Sequence, residues 1–296
     1  MSQEFQDLSY TRHQKASAVD LVDAERKRIA ASWFDETTAN AWRDLRAYDI
    51  ASCLGGPDTT WVTEGDGRFG LDAMRLKSRG AGSVLPTSID IAMLEDAKNR
   101  GLIPEFSQEN AERLSFQDKS FDYAFCKEAY HHFPRPMIAL YEMLRVSRKG
   151  IILIEPNDRL NSIMRRLIAP LRRLLKGQRH MDADAYEQSA NYAYPIYWRE
   201  MEKVALGLNL PQIAFKGLND AYIPGMEFEP ALFSRSVYRK MRIKIAIRDF
   251  LCRIGLDQPT LIMTTILREP LSSEQKRCMI AKGWRVIDLP RNPYVT

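Results

Sequence analysis

Three glycines, Gly65, Gly67 and Gly70, form the pattern Gly-x-Gly-x-x-Gly, which suits the binding of a polar or anionic cofactor. The pattern follows Thr60-Trp61-Val62-Thr63, a β-branched and aromatic run that predicts a strand, and residues 70–78 predict a helix after it. Such a turn lets backbone N–H groups and the helix dipole approach a ligand without an intervening Cβ. The simpler interpretation is a turn that only closes a strand-to-helix loop.

An acid downstream of the turn leaves a second class of enzyme open. Asp90 lies 20 residues after Gly70, and together they match the dinucleotide-binding pattern literally. A nicotinamide-dependent oxidoreductase is therefore an alternative on this evidence alone.

Five motifs follow the turn in order. They are Asn110-Ala111-Glu112-Arg113-Leu114-Ser115-Phe116, Ser120-Phe121-Asp122-Tyr123, His131-His132-Phe133, Glu142-Met143-Leu144-Arg145-Val146 and Lys149-Gly150-Ile151-Ile152-Leu153-Ile154-Glu155-Pro156. In this order and spacing they resemble the class I, Rossmann-like S-adenosylmethionine-dependent methyltransferases, in particular the methyltransferase type 11 or ubiquinone-biosynthesis-like group. The pattern of that family runs acidic-Ala-x-x-Leu-Pro-Phe, Phe-Asp-x-Val, His-His-x-x-Asp and Glu-x-x-Arg-Val-Leu-Lys-Pro-Gly-Gly, followed by a last strand.

The resemblance implies S-adenosyl-L-methionine as cofactor and an α/β fold with a seven-stranded, doubly wound, mostly parallel sheet. It places Gly65 and Gly67 along the methionine part of the cofactor, with Glu64 or Asp66 to receive the amino group. The family has its acid two positions before the first glycine, where this chain has Thr63. Both Glu64 and Asp66 therefore stay candidates.

The resemblance also implies the residues that would meet the ribose and the adenine. Ser88 matches the position of the family's ribose-binding acid, and Asp90 follows two residues later, so both are candidates for that role. The alternative role for Asp90 is to cap the helix predicted from residue 91 to residue 100. Asn110 and the backbone N–H of Ala111 match the adenine-binding positions. Lys127 follows the fourth strand at the mouth of the site.

Methyl transfer to a hydroxyl requires alignment of the acceptor and removal of a proton, for which a histidine is suited. His132 is the first candidate for a base, and His131 is the second. Glu155, at the end of the fifth core strand, is a third candidate. The alternatives are histidines that close the pocket by hydrogen bonding, and a strand-end carboxylate that pairs with an arginine.

The elements that must position these residues are short apolar runs that alternate with helical stretches between residues 59 and 156, a pattern typical of a parallel sheet covered by helices. Helical spacing of apolar residues precedes them, and Pro259-Thr260-Leu261-Ile262-Met263-Thr264-Thr265-Ile266-Leu267 predicts a late strand. The predicted organisation is an N-terminal helical region (1–58), the cofactor-binding core (59–156), a helical substrate cap that includes a core helix (157–258), and the last core strand with a tail (259–296).

The predicted cap contains two basic amphipathic runs, at residues 163–179 and 235–253. Three interpretations compete for them: a solvated face, a helix that lies on an anionic membrane surface, and a face that binds a phosphorylated acceptor. The preferred acceptor is a sugar or similar small metabolite, phosphorylated or lipid-linked, of a surface polysaccharide or glycolipid. Nucleic acid is not expected, because aromatic residues are not interleaved with the basic ones.

The composition agrees with a globular chain of 296 residues that is 45% hydrophobic and carries a formal net charge of +5. The N-terminus lacks the pattern of a secretory signal, so we expect a cytoplasmic protein, peripheral at the inner face of the membrane if the 163–179 helix binds lipid. No metal site is expected from the spacing of His, Asp and Cys residues. The four cysteines form no C-x-x-C pair and are expected to be reduced thiols. They are Cys53, Cys126, Cys252 and Cys278.

Overall fold

The computed structural model describes residues 3–14, 23–159, 161–176, 186 and 192–295. Its centre is a sheet whose strands lie in the order β3-β2-β1-β4-β5-β7-β6-β8. The strands are β1 (Gly56–Glu64), β2 (Ala81–Ser88), β3 (Ser107–Gln108), β4 (Phe121–Lys127), β5 (Ser147–Pro156), β6 (Gln212–Leu218), β7 (Leu261–Leu267) and β8 (Arg285–Asp288). The first five strands in this order, β3, β2, β1, β4 and β5, pair in parallel with their neighbours. Strand β7 pairs antiparallel with both β5 and β6.

The α/β class and the mostly parallel sheet are confirmed, but the predicted number of strands, seven, is wrong. The described residues form eight strands. The additional one is β8, which pairs antiparallel with β6 from Gln212 opposite Asp288 to Phe215 opposite Arg285. It covers an edge of β6 that would otherwise expose unpaired backbone groups.

Helices cover both faces of the sheet. They are α1 (Gln3–His13), α2 (Ala24–Ser32), α3 (Ala39–Leu45), α4 (Ala51–Leu54), α5 (Leu71–Ser78), α6 (Ala92–Asn99), α7 (Pro136–Val146), α8 (Ile163–Lys176), α9 (Trp198–Gly207), α10 (Ser236–Arg253) and α11 (Ser273–Ala281). None of the helices within the described residues is long and apolar enough to cross a membrane.

Strand β5 contains a continuous apolar run, Ile151 to Ile154, because both of its faces are buried there. In β5, Ile151 and Leu153 pack into one hydrophobic cluster, while Ile152 and Ile154 pack into another on the opposite face. Successive side chains of a strand point to opposite faces, so a strand buried on both sides needs a continuous apolar run. This explains why this strand is readily predicted.

The segment 157–258 contains more than a cap. Strand β6 lies inside the sheet, between β7 and β8, so this segment also supplies part of the core. Helix α10 packs instead on α3, and its buried residues Tyr238, Met241 and Ile245 form a separate cluster with Ala39. That contact matters for the site, because α3 lines a cavity described below.

Two of the cysteines are paired, so the expectation of four reduced thiols is wrong. Cys53 on α4 and Cys278 on α11 form a disulfide, with their Cα atoms 5.5 Å apart. Spacing along the sequence carries no sign of this pair, because 225 residues separate the two cysteines and the fold alone brings them together. Cys126 and Cys252 are free thiols.

Loss of this disulfide is expected to lower the free energy of unfolding by about 2–4 kcal/mol, because the bond restricts the unfolded chain. Urea unfolding with and without a reductant measures the effect. The Cys53→Ser, Cys278→Ser double variant should match the reduced wild-type protein and should not respond to the reductant. An unfolding midpoint of the wild type that is insensitive to reductant would contradict the pairing.

Candidate cofactor-binding and catalytic site

Two adjoining cavities lie where β1, β2 and β4 end. The larger has a volume of about 350 Å³ and the smaller about 130 Å³. Gly65, Ala129 and His132 line both cavities. Carboxyl ends of parallel strands are the usual place for ligands in open α/β sheets.

The glycine turn forms the wall between the cavities. Gly65 has a φ of +73°, and a Cβ on it would lie 2.5 Å from the Cβ of Ala129. A Cβ on Gly67 would lie 2.9 Å from Oγ of Ser88. Neither position can take a side chain without a shift of its neighbours. Gly65 therefore brings bare backbone to both cavities, whereas Gly67 lines neither and packs against Ser88. Phe69, which directly precedes Gly70 in the turn, is buried and packs edge-on against Phe34.

Asp66 uses its carboxylate to hold the turn. It accepts backbone N–H bonds from Asp72 at 3.1 Å and Ala73 at 2.9 Å, and a hydroxyl bond from Thr63 at 2.9 Å. It therefore caps the start of α5, although it also lines the larger cavity. Burial raises the pKa of Asp66 above its usual range.

Glu64 lines the smaller cavity, and only one of its two carboxylate oxygens accepts a hydrogen bond from a described residue. Its side chain is buried, with the residue 1% exposed, and Oε2 accepts a hydrogen bond from the Thr87 hydroxyl at 3.0 Å. Oε1 has no hydrogen-bond partner among the described residues. Burial raises the pKa of Glu64 to about 8. A buried polar atom without a partner is costly, so a bound ligand with a hydrogen-bond donor would complete this site.

Ser88 and Asp90, the two candidates for the ribose, lie together in the wall of the smaller cavity. The Ser88 hydroxyl accepts the backbone N–H of Asp90 at 3.2 Å. Asp90 in turn accepts the backbone N–H of Ala92 at 3.2 Å, at the start of α6. The two roles considered for Asp90 are thus compatible, since it lines the cavity and also caps a helix.

Asn110 and Ala111 line the far end of the same cavity. The Asn110 side-chain oxygen accepts the backbone N–H of Glu112 at 2.9 Å, which fixes this short loop. The first helix covers the cavity, since Tyr10 of α1 lines it and donates its hydroxyl hydrogen to Glu112 at 2.7 Å. The polar sequence of α1 lacks the periodicity that would have predicted this contact.

Lys127 lines the larger cavity but is paired with two acids. Its ammonium group lies 2.8 Å from Asp44 and 2.8 Å from Glu128. Arg75 also pairs with Asp44. Burial opposes the ionisation of Asp44, yet the two cations outweigh it and hold the pKa of Asp44 far below its usual range. Lys127 therefore organises the cavity wall through Asp44 and Glu128.

His131 and Glu155 form a buried pair beside the larger cavity. His131 Nδ1 donates to Glu155 Oε2 at 2.5 Å, and Glu155 is fully buried. The other oxygen of Glu155 accepts the backbone N–H groups of Ala129 at 3.1 Å and Tyr130 at 3.0 Å. Glu155 thus lies behind His131 rather than at the cavity surface, and its partner is a histidine rather than an arginine. A carboxylate on Nδ1 fixes the tautomer that leaves Nε2 as the acceptor.

His132 lies next to this pair. Its ring centroid is 3.9 Å from that of His131 and 6.0 Å from that of His13 on α1. The short 3₁₀ turn Tyr130–His132, directly after β4, carries both histidines. The structure therefore places both histidines at the larger cavity and gives a carboxylate partner to His131.

Residues 65–154 match the model of a family described as a methyltransferase domain. A search of curated protein sequences gave no match. Among solved structures, the chain is similar to the YcgJ protein of Bacillus subtilis (17% identity, 76% of this chain and 99% of that chain covered, TM-score 0.48). It is also similar to a SAM-dependent methyltransferase from Thermotoga maritima (14% identity, 84% of this chain and 97% of that chain covered, TM-score 0.48). It is similar as well to a chain in the complex between the Haloferax volcanii Trm112 methyltransferase activator and a methyltransferase (16% identity, 81% of this chain and 95% of that chain covered, TM-score 0.48).

The family match covers Gly65 and the histidine pair, which line the cavities, and most of β5. It sets aside the nicotinamide-dependent oxidoreductase. The chain carries a class I methyltransferase domain over residues 65–154 and is a methyltransferase that uses S-adenosyl-L-methionine.

Proposed function

We propose that this methyltransferase O-methylates a hydroxyl of a sugar or a similar small polar metabolite, carried on an anionic or lipid-linked group of a surface polysaccharide or glycolipid. The observation that supports a hydroxyl acceptor is the contact between His131 and Glu155 at the larger cavity. A hydroxyl must lose its proton as the methyl group arrives, and a histidine oriented by a carboxylate is suited to take it.

The proposed cofactor-binding residues surround the smaller cavity and the turn. S-adenosyl-L-methionine, when bound, supplies a methyl group activated on a sulfonium. Gly65 and Gly67 allow close approach, while Glu64 offers a carboxylate oxygen that has no hydrogen-bond partner within the part of the chain that the structure describes. The remaining candidates are Asp66, Ser88, Asp90, Asn110, Ala111 and Lys127, of which Asp66 and Lys127 act through the groups that they hold.

The larger cavity offers a place for a polar acceptor. It is lined by charged residues of both signs and by Trp33. Arg68 lies exposed at this cavity and stacks over Trp33, 5.2 Å from the ring centroid. It forms no ion pair with an acid among the described residues, so it would meet an anionic group of the acceptor. Exposed apolar and basic residues on α8, among them Leu167 and Arg165, support contact of this helix with a membrane surface. Residues 177–179 of the predicted basic run lie outside the described residues.

A transfer assay with labelled S-adenosyl-L-methionine tests the proposed acceptor class. Matched small acceptors with a sugar hydroxyl, an amine or a thiol are compared, each with and without a phosphate group. The expected result is transfer to the hydroxyl acceptors, with the lower KM for the phosphorylated ones. Transfer to amines alone would overturn the proposal, and cofactor binding without any turnover would favour an inactive scaffold.

The affinity for S-adenosylhomocysteine is expected to rise with pH up to about 8, the pKa of Glu64, and to level off above it. The reason is that a donor of the ligand favours the ionised form of Glu64, which is a minor form below that pH. The gain is at most about tenfold per pH unit. Titration calorimetry across this pH range measures it.

Glu64→Gln should remove this rise. Glu109→Gln is the matched control, because Glu109 lines the same cavity but its oxygens already accept bonds from Ser107 and from Ser115. It should keep the rise but move it to lower pH, because the charge of Glu109 helps to raise the pKa of Glu64. A pH profile of the affinity that is identical in wild type and Glu64→Gln would show that Glu64 does not bind the ligand.

A further inference from the structure

Helix α10 carries an apolar stripe on the side that faces away from the protein. Ile243, Ile247, Phe250 and the following Ile254 are each 49–58% exposed. Their spacing of four, three and four residues places them on one face of the helix. The buried residues of the same helix, including Met241, occupy the opposite face. An amphipathic surface helix normally buries its apolar side, so a second apolar side requires another occupant.

Cations border this outward stripe on both sides. They are Arg239, Lys240, Lys244 and Arg253, all of which are exposed. Within the described residues none of them forms an ion pair with an acid. The only acid in α10, Asp249, accepts a hydrogen bond from Asn219 at 2.8 Å. The stripe and its border therefore combine apolar contact with uncompensated positive charge.

Helix α8, which lies next to the end of α10, also exposes apolar and basic side chains. Helix α8 begins beside the end of α10, where the backbone N–H of Met164 donates to the carbonyl of Leu256 at 3.1 Å. Ile163 and Leu167 of α8 are exposed, as is Arg165 between them. Two separate helices thus present apolar and basic side chains where their ends meet.

We infer that the outward face of α10, here called the α10 stripe (residues 239–254), docks the enzyme on an anionic lipid surface. Apolar side chains enter the boundary between headgroups and acyl chains, while the bordering cations meet lipid phosphates. A second copy of the chain is a poorer occupant. Two-fold pairing through the stripe would set Lys240 and Lys244 against the same cations of the other copy.

This surface lies directly behind a wall of the larger cavity. Tyr238 of α10 packs edge-on against Trp42 of α3, with ring centroids 5.6 Å apart, and Arg242 stacks on the same ring at 4.3 Å. Helix α3 supplies Asn40 and Asp44 to that cavity. Insofar as it concerns a lipid-linked acceptor, the inference rests on the proposed function, since docking would hold the cavity near membrane-bound substrate.

Flotation of the full chain with lipid vesicles tests the inference. The wild type is expected to bind vesicles of phosphatidylcholine with phosphatidylglycerol, and to bind vesicles of phosphatidylcholine alone at least about tenfold more weakly. Added salt should weaken the binding. Ile247→Ser with Phe250→Ser, and separately Lys240→Glu with Lys244→Glu, should each lower it by about tenfold or more.

The matched control is Ile280→Ser with Leu208→Ser, because both side chains are exposed apolar residues outside the α10 stripe. This control should bind vesicles like the wild type. Equal binding by the stripe variants and the wild type would overturn the inference, as would a concentration-dependent dimer in light scattering that the stripe variants abolish. Affinity for S-adenosylhomocysteine, measured on the same samples, should be unchanged in every variant, so loss of docking is distinguishable from loss of the methyltransferase site.

Discussion

His131→Ala is expected to lower kcat for a hydroxyl acceptor by about 10²- to 10⁴-fold, with the affinity for S-adenosylhomocysteine unchanged. The side chain lies at the larger cavity with Nδ1 held by Glu155, so its role is to take the acceptor proton rather than to bind the cofactor. Steady-state kinetics with the acceptor found in the transfer assay, together with calorimetry of cofactor binding, separates the two roles.

His132→Ala is the matched control. The two histidines are neighbours in sequence and lie 3.9 Å apart by ring centroids, and the Glu155 carboxylate orients the His131 ring through Nδ1. We therefore expect a smaller loss of kcat from His132→Ala, the reverse of the ranking predicted from sequence. Glu155→Gln should lower kcat while the protein still binds cofactor, because the amide no longer provides the charge that favours the protonated imidazole.

A larger loss of kcat in His132→Ala than in His131→Ala would contradict this assignment. A loss of cofactor affinity equal to the loss of kcat in His131→Ala would show that the residue builds the cofactor pocket instead. Circular dichroism of each variant checks that the fold is intact, since Glu155 also accepts backbone bonds from Ala129 and Tyr130.

Lys127→Met is expected to destabilise the protein by up to about 3–5 kcal/mol, because it removes one of the two cations that compensate the nearly buried Asp44. The ammonium group is 10% exposed and contacts both Asp44 and Glu128. Arg75 alone would then compensate Asp44. Urea unfolding at neutral pH measures the loss.

Lys149→Met is the matched control, since Lys149 also pairs with an acid, Asp122 at 3.2 Å, but is 42% exposed. Exposed pairs contribute about 0–1 kcal/mol, so we expect little change. The difference between wild type and Lys127→Met should shrink in acid. Because the pKa of Asp44 is lowered in the folded protein, its stabilising contribution is present above the ordinary value of 3.8 and is lost as pH falls through the folded value. Equal losses from the two lysine variants would contradict the role assigned to Lys127.

Strands β4, β5 and β7 could be predicted because burial on both faces demands the continuous apolar runs that they show. Strand β8 could not, because Arg285–Asp288 is short and partly polar and is stabilised by pairing with β6 rather than by its own sequence. Local signals cannot reveal a partner that only the fold supplies.

The site shows the same division. The glycine turn and the histidine pair each follow a predicted strand, so the sequence predicts that both lie at the carboxyl edge of the sheet. The contact between His131 and Glu155 depends on the parallel pairing of β4 with β5, in which Lys127 lies opposite Ile154. His131, on the turn after β4, and Glu155, on β5, are 24 positions apart and meet at the sheet edge. Tyr10 is an example over a longer span, since it donates to Glu112 across 102 residues and accepts from Arg135 across 125.

The Cys53–Cys278 bond makes most of this chain a covalent ring. A single proteolytic cut anywhere inside the ring leaves two fragments that still migrate as one species on a non-reducing gel. Tension applied between a residue before Cys53 and a residue after Cys278 passes through the disulfide. Strands β1 to β7 lie between the two cysteines and bear none of that load, whereas β8 lies outside them. Strand β8, the only described strand outside the ring, is therefore the one that such a force would peel away.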